Sequence, residues 1–332
     1  MRSKKRNNNG LKIFVSILAI LVIGILGYIY SIYANVKDSM DTAYTPVEVE
    51  TFRTSNTGTV ADSSEDEESR TNAGAMTPSE LLEAGEPVSI LLLGVDTGDL
   101  GRTEQGRSDS MVVVTINPHT QKTTLLSIPR DTYTEILGYG TSDKINHAYA
   151  FGGTAMSINT VQQMLDIPID FYVMVNMAGI QEIVDAVGGI TVESPLTFNQ
   201  NGYDFVQGTN QLDGEAALAF ARMRYEDPAG DTGRQGRQRL VIEAVIRKLA
   251  TPETLLNYQA VLETLSANMQ TSFQLSDFYT LPNQAYLGAV GNIEQQQLGG
   301  TGDMMNDIYY NFVDEAELTR VRDLLQIELE LE

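Results

Sequence analysis

The run Val88–Val95 (Val-Ser-Ile-Leu-Leu-Leu-Gly-Val) is almost unbroken in apolar residues, is of strand length, and ends abruptly at Asp96. A strand that is apolar on both faces needs cover on both sides, which points to a layered α/β domain rather than a one-sided sheet. Two further strand-like runs follow, Met111 to Ile116 and Thr123 to Ile128, joined by the turn Asn117-Pro118-His119-Thr120. So short a turn makes these two antiparallel neighbours. If the first pair is also antiparallel, the end of the first strand, the start of the second and the end of the third share one sheet edge. Asp96, Arg107, Asp109 and Arg130 then converge there.

The rest of the chain alternates helix and strand patterns. Helix periodicity runs from Thr154 to Leu165 and from Met177 to Val187, with strands predicted at Asp170 to Val175 and Ile190 to Glu193. A short helix follows from Leu212 to Ala221, and helical stretches lie around 253 to 269 and 314 to 329 with a loop-rich segment between them. This order predicts a layered α/β/α sandwich around a central mixed sheet. The segment 141–149 has a site-like character, with Lys144 a further candidate phosphate contact; His119 reads as incidental and His147 is left open.

Residues 220–239 place five arginines in a chain of net charge −22. Arg222 and Arg224, two apart, project to one side of an extended segment. Thr232-Gly233-Arg234-Gln235 has the form of a capping box, so a helix is predicted from near Gly233 to about Ala250, with Arg234 and Arg237 on its first turn. Free N–H groups and the helix dipole favour an anion there, and guanidinium forks match phosphate oxygens. The alternative is a solvated set paired with Glu226, Asp227 and Asp231.

Arg2, Lys4, Lys5 and Arg6 precede an apolar run from Leu11 to Tyr33 that contains no acidic residue. Its 23 residues would span about 34 Å as a helix, enough for a bilayer core of about 30 Å. It reads as a retained single-pass anchor, with residues 1–10 cytoplasmic and everything after Tyr33 outside the cell membrane. Residues 34–79, with the acidic run at 63–69, read as an extracellular linker reaching about 35 Å, ahead of a domain at 80–332. The absence of cysteine excludes disulfides, thiolate metal sites and a cysteine nucleophile. A pI near 4.4 argues against nucleic acid as a partner.

Asp96 and Asp109, hard carboxylates with no thiolate or histidine cluster, suit Mg²⁺, which keeps few protein ligands and binds substrate phosphates. Arginines around the same point would neutralise a pyrophosphate. The chain has neither a Gly-x-x-x-x-Gly-Lys-Ser/Thr loop nor a Gly-x-Ser-x-Gly elbow. What remains is metal-assisted chemistry on a phosphate ester at an outer membrane surface, for which a lipid-linked pyrophosphate is a suitable substrate.

The sequence resembles the LytR-CpsA-Psr (LCP) family of bacterial cell-envelope proteins. The resemblance is carried by Leu-Leu-Leu-Gly-Val-Asp (91–96), Arg-Ser-Asp-Ser (107–110), Ser-Ile-Pro-Arg-Asp (127–131), Lys-Ile-Asn-His-Ala-Tyr (144–149), Val-Gly-Gly-Ile (187–190), Leu-Asp-Gly-Glu-Ala-Ala-Leu (212–218) and the arginine motif through 239. It implies a phosphotransferase of a Gram-positive envelope that moves a teichoic acid or capsular polysaccharide from a polyprenyl pyrophosphate carrier to peptidoglycan. Asp96 and Asp109 would hold Mg²⁺ or Mn²⁺. By the same resemblance Arg130, Arg222, Arg224, Arg234 and Gln238 would hold the pyrophosphate, with Arg107 and Asp231 supporting them. Asp96 and Asp231 would be the proton-accepting candidates, and an apolar pocket would take the prenyl tail. A pyrophosphate hydrolase and a non-catalytic envelope regulator are the alternatives.

Overall fold

The computed structural model describes residues 40–49, 76–96 and 106–331, apart from 257–260, 262, 265–266 and 282–283, together with residues 34, 37 and 38. The predicted anchor at 11–33 and the acidic run at 63–69 lie outside the described residues. No helix among those described is long and apolar enough to cross a membrane.

The chain runs through α1 (Pro78–Ala84), β1 (Val88–Val95), β2 (Ser108–Asn117), β3 (Lys122–Ser127), β4 (Tyr133–Ile136), β5 (Thr141–Lys144), α2 (His147–Leu165), β6 (Phe171–Asn176) and α3 (Met177–Ala186). Four short strands follow: β7 (Ile190–Ser194), β8 (Phe198–Gln200), β9 (Tyr203–Phe205) and β10 (Gly208–Leu212). Then come α4 (Gly214–Arg222), α5 (Gly230–Leu249), α6 (Pro252–Leu256), β11 (Met269–Thr271), α7 (Leu275–Thr280), α8 (Gln284–Val290), β12 (Ile293–Gln297), β13 (Thr301–Met305), β14 (Ile308–Phe312) and α9 (Glu315–Glu328).

The central sheet has six strands in the order β11-β6-β1-β2-β3-β12. It is mixed, because β1 pairs with β6 and β3 with β12 in parallel while the other neighbours are antiparallel. Alternation along β1 sends Leu91, Leu93 and Val95 into a core with residues of α2 and α9, and Val88 and Ile90 into another with α1, Phe273 and Tyr286. Both faces are therefore covered, which is why β1 carries apolar residues without a period of two. A third core joins α3, α4 and α5 to the small β7–β10 pair.

The predicted β2–β3 turn is held by Asn117, whose Oδ1 accepts the amides of His119 and Thr120. His119 pairs with Glu330 at 3.0 Å, a fastening far along the chain from the site-like segments. The segment expected to be loop-rich instead contains α7, α8, a sheet strand and a hairpin. β12 (Ile-Glu-Gln-Gln-Gln) shows no apolar alternation because it is a half-exposed edge strand that needs none.

Residues 40–49, read from sequence as linker, pack onto the domain. Met40 and Ala43 are buried in the core of α3 and α4, Thr45 donates its amide to the carbonyl of Thr271, and the Tyr172 hydroxyl donates to the carbonyl of Thr45. The folded unit therefore includes chain well before residue 80.

Candidate active site

At the end of β1 the register slips between Gly94 and Val95, so Gly94 faces Ser110 and Val95 faces Ser108. A Cβ on Gly94 would sit 2.9 Å from the Ser110 Cβ, so this close pairing needs glycine. The slip delivers Asp96 to the start of β2, where its Oδ1 accepts the Arg107 amide at 2.6 Å. Asp109 lies opposite this irregularity. Arg130, just past β3, donates from Nη1 to Asp109 Oδ1 at 2.9 Å. Asp131 accepts Lys144 Nζ at 2.7 Å and lies 3.7 Å from Arg130 Nε.

The arginine segment approaches the same edge from the other side. α4 is capped by Asp213 and ends on Arg222, and the following Met223 is buried. Arg222 thus closes a helix, whereas an extended pair with Arg224 was expected. The predicted capping box at 232–235 does not form either. α5 starts at Gly230, with Ala229 as N-cap and no side-chain cap bond. Asp227 organises this turn: its Oδ1 accepts the Ala229 amide at 2.7 Å and its carbonyl accepts the Gly230 amide at 2.9 Å. Asp227 also crosses Gly233, where a Cβ would sit 1.9 Å from its Oδ2, to pair with Arg237.

Arg237, expected on the anion-binding turn, is fully buried. Its Nε donates to the carbonyl of Phe220 and its Nη2 to that of Met223, and its guanidinium lies 5.4 Å from the Phe198 ring centroid. It fastens α5 to the end of α4. Arg239, mostly buried, donates to Gln295 Oε1 at 3.3 Å. Two of the five arginines therefore do structural work. Arg237 and Asp227 were missed as a structural pair, and their ten-residue separation in sequence gave no signal.

Arg234 keeps the predicted position. Its Nη2 lies 2.7 Å from Asp231 Oδ1, and Arg224 Nε lies 3.6 Å from the same oxygen. Burial pushes the Arg234 guanidinium below its ordinary range; Asp231 and Asp109 oppose that push, while Arg130 and Arg224 add to it. Burial also acts to lower Arg130, but Asp109 above all, with Asp231 and Asp131, holds it above its usual range. Residues more than 100 positions apart thus share one electrostatic site. Arg130 Nε and Arg234 Nε are buried without a hydrogen bond among the described residues, and Arg234 Nη2, although 2.7 Å from Asp231 Oδ1, makes none of good geometry, so these donors keep capacity for a further anion.

A cavity of about 450 Å³ opens beside this cluster. Asp96, Asp109, Arg222, Arg234 and Gln238 line its polar end. Beyond them it runs between the sheet and the helices α3 and α5 over apolar side chains that include Val173, Ile180, Val241 and Val245. Arg107, Arg130, Arg224, Lys144 and Asp231 do not line the cavity; Arg130 pairs with the lining Asp109, and Asp231 with the lining Arg234 and with Arg224. Arg107 contributes its amide, its side chain being exposed, and Lys144 stands one ion pair beyond Arg130. His147 Nδ1 lies 2.7 Å from Asp143 Oδ2, away from the cavity lining.

No cluster of three histidine, aspartate or glutamate ligands occurs among the described residues. Two carboxylates at one cavity end, with no thiolate or imidazole beside them in its lining, fit a hard ion that takes its remaining ligands from water and phosphate. They do not fit a zinc site, which would need more protein ligands.

The mixed α/β sandwich thus presents guanidinium groups and carboxylates at one end of an apolar cavity. The sequence pattern of the LytR_cpsA_psr family matches residues 49–327, and the chain belongs to that family. It is 45% identical over 325 residues, 97% of this chain and 99% of the relative, to the polyisoprenyl-teichoic acid–peptidoglycan teichoic acid transferase TagU of Enterococcus faecalis. The crystal structure of Bacillus subtilis TagU superposes with a TM-score of 0.61 at 41% identity, covering 74% of this chain and 98% of that one. A structure described as TagT bound to LIIa-WTA superposes with a TM-score of 0.64 at 31% identity, over 78% and 95% of the two chains.

Proposed function

We propose that this protein transfers a teichoic-acid-type glycopolymer from a polyprenyl pyrophosphate carrier to peptidoglycan. The observation that carries the reading is the guanidinium of Arg234 at the polar end of an apolar cavity, with that of Arg130 beside it through Asp109, each keeping a buried Nε–H that no hydrogen bond among the described residues satisfies. Such donors suit a diphosphate, and the cavity behind them suits a prenyl tail. The relatives' names as transferases point the same way.

In this mechanism Arg222, Arg224, Arg234 and Gln238 hold the diphosphate oxygens, and Arg130 stabilises the negative charge that develops on the transferred phosphoryl group. Asp96 and Asp109 would hold a Mg²⁺ ion, which when bound polarises the phosphoryl oxygens. The acceptor oxygen, the 6-hydroxyl of a muramic acid residue, attacks the phosphorus on the sugar side. The bond from that phosphorus to the bridging oxygen breaks, and polyprenyl phosphate leaves with the electron pair. The hydroxyl proton passes to a carboxylate, Asp96 or Asp231. Asp231 also spaces Arg224 from Arg234, and the Arg107 amide orients Asp96.

By this reading residues 11–33 anchor the chain in the membrane and the domain works outside the cell. The full chain in detergent, given a lipid-linked glycan pyrophosphate, peptidoglycan and Mg²⁺, is expected to place labelled sugar on the wall. Addition of a chelator should stop the transfer. Label released only as free sugar phosphate would indicate a hydrolase, and no turnover of the carrier would overturn the enzymatic reading.

A further inference from the structure

Linked to Asp109 and Arg130 through Asp131 and Lys144, and outside the cavity lining, lies a face with a different character. Two hairpins build it, β4–β5 and β13–β14, the second docked on the loop after β3 through the Asn311 amide and the Asp131 carbonyl at 2.9 Å. Tyr139, in the β4–β5 turn, stacks on Phe151 with ring centroids 4.0 Å apart and planes 12° apart, yet both stay exposed, at 51% and 38%. The His147 ring meets Phe151 edge-on at 5.6 Å. Asp143 then links the pair to the second hairpin, with Oδ2 on His147 Nδ1 at 2.7 Å and Oδ1 accepting the Tyr310 hydroxyl at 3.2 Å. Lys144 lies 5.7 Å over the Tyr310 ring and reaches, through Asp131, to Arg130 and Asp109.

Flat, half-exposed aromatic rings set beside a half-buried carboxylate and imidazole suit a ligand with apolar ring faces and polar edges, which describes a sugar. The acidic chain, with Asp303 and Asp307 on the same hairpin, disfavours an anionic lipid surface. An aliphatic protein partner would not match so polar a rim. The face is continuous with the reaction centre through the ion pairs named above, and none of its residues lines the cavity that would hold the carrier. An acceptor must reach the phosphorus from a side that the carrier does not fill.

We propose that this face is a saccharide-binding platform for the acceptor glycan strand, one sugar stacking on Tyr139 and Phe151 while the half-buried Asp143 and His147 bond its hydroxyls, with the buried Tyr310 holding Asp143 in place. The assignment rests on the transferase reading, although sugar binding itself does not. The test uses the full chain in detergent and its Tyr139→Ala/Phe151→Ala variant, both exposed positions, with thermal unfolding to establish that the fold is kept. Direct binding is measured to soluble peptidoglycan fragments, and steady-state transfer is measured by varying acceptor and carrier separately. The variant is expected to lose glycan binding and to raise the acceptor KM about tenfold, as two lost stacking contacts predict, with kcat and carrier KM within about twofold. A raised carrier KM with an unchanged acceptor KM would place the donor's own sugars there and overturn the acceptor assignment. Unchanged glycan binding would overturn the platform altogether. A parent chain that binds glycan through these rings but transfers nothing would uphold the platform and remove the transferase reading.

Discussion

Replacing Arg237 and replacing Arg234 by methionine should have opposite consequences, although both are arginines of one helix three residues apart. Arg237 is fully buried, paired with a nearly buried Asp227 and bonded to two main-chain carbonyls. Arg237→Met leaves a carboxylate and two carbonyls without their donor, and breaking such a buried pair costs about 3–5 kcal/mol. In a domain of this size that is a fall in Tm of about 6–20 °C. Arg234 has a guanidinium that burial disfavours, and its ion partner, Asp231, is part-exposed and also approached by Arg224, so Arg234→Met should cost far less than Arg237→Met, about 1 kcal/mol. It should instead lower turnover of the carrier by about 10²–10³-fold, the usual loss on removing one preorganised donor to a developing negative charge. Urea unfolding in detergent, read with a constant m-value, and single-turnover release of polyprenyl phosphate measure the two quantities. Equal destabilisation by the two substitutions, or a fully stable Arg237→Met, would refute the division of labour.

The neighbouring Gly233 offers a check in which helix propensity and packing disagree. Gly233→Ala gains about 1 kcal/mol of intrinsic helix preference, yet its Cβ would sit 1.9 Å from Asp227 Oδ2, so urea unfolding should show a net loss of stability. The Tyr172 hydroxyl is pushed up to about 12, chiefly by burial. Its folded value lies above the unfolded one near 10, so its contribution is complete below pH 10 and is lost as pH rises towards 12. Tyr172→Phe should remove that step from the pH dependence of stability, as read by denaturant titration at pH 9, 10 and 11. Val245 lines the apolar part of the cavity, and Val245→Trp should reduce turnover of a carrier with a full-length prenyl tail more than one with a truncated tail, in the same release assay.

How much of this arrangement the sequence disclosed depended on whether a residue's partner was local. The three strands β1 to β3 were legible because a continuous apolar run and a four-residue turn fix pairing over short distances. The meeting of Asp109 and Arg130 followed from that pairing alone. The start of α5 was misplaced because Thr232 and Gln235 satisfy a local pattern, while the competing arrangement depends on Asp227 reaching a buried Arg237 that local spacing does not reveal. The packing of residues 40–49 was invisible for the same reason. Thr45 and Tyr172 are 127 positions apart, and the segment's own composition looks like linker. Tyr139 and Phe151 gave no signal either, since aromatic residues near a turn and near a helix start usually belong to the core.

One signal in the sequence was present but divided between two patterns. The residues of α5 that line the cavity include Arg234, Gln238, Val241, Val245 and Leu249, spaced by four, three, four and four residues and so on one face of the helix. The face is polar at its start and apolar beyond it, so the helix lacks the uniform stripe by which amphipathic helices are recognised. Its polarity changes along the axis instead of around it. From Arg234 to Leu249 the axis covers about 22 Å, with the guanidinium end beside Asp109 and the apolar end deep between the sheet and α3. A helix of this kind matches a ligand that is itself polar at one end and apolar along the rest, with each part of the ligand opposite its own kind. The same geometry explains why a chain this acidic concentrates cations here. Arg234 and Gln238 precede the first apolar position, Val241, by about two turns and one turn, so on the proposed reading a diphosphate held by them would direct its attached tail along the apolar part of the cavity.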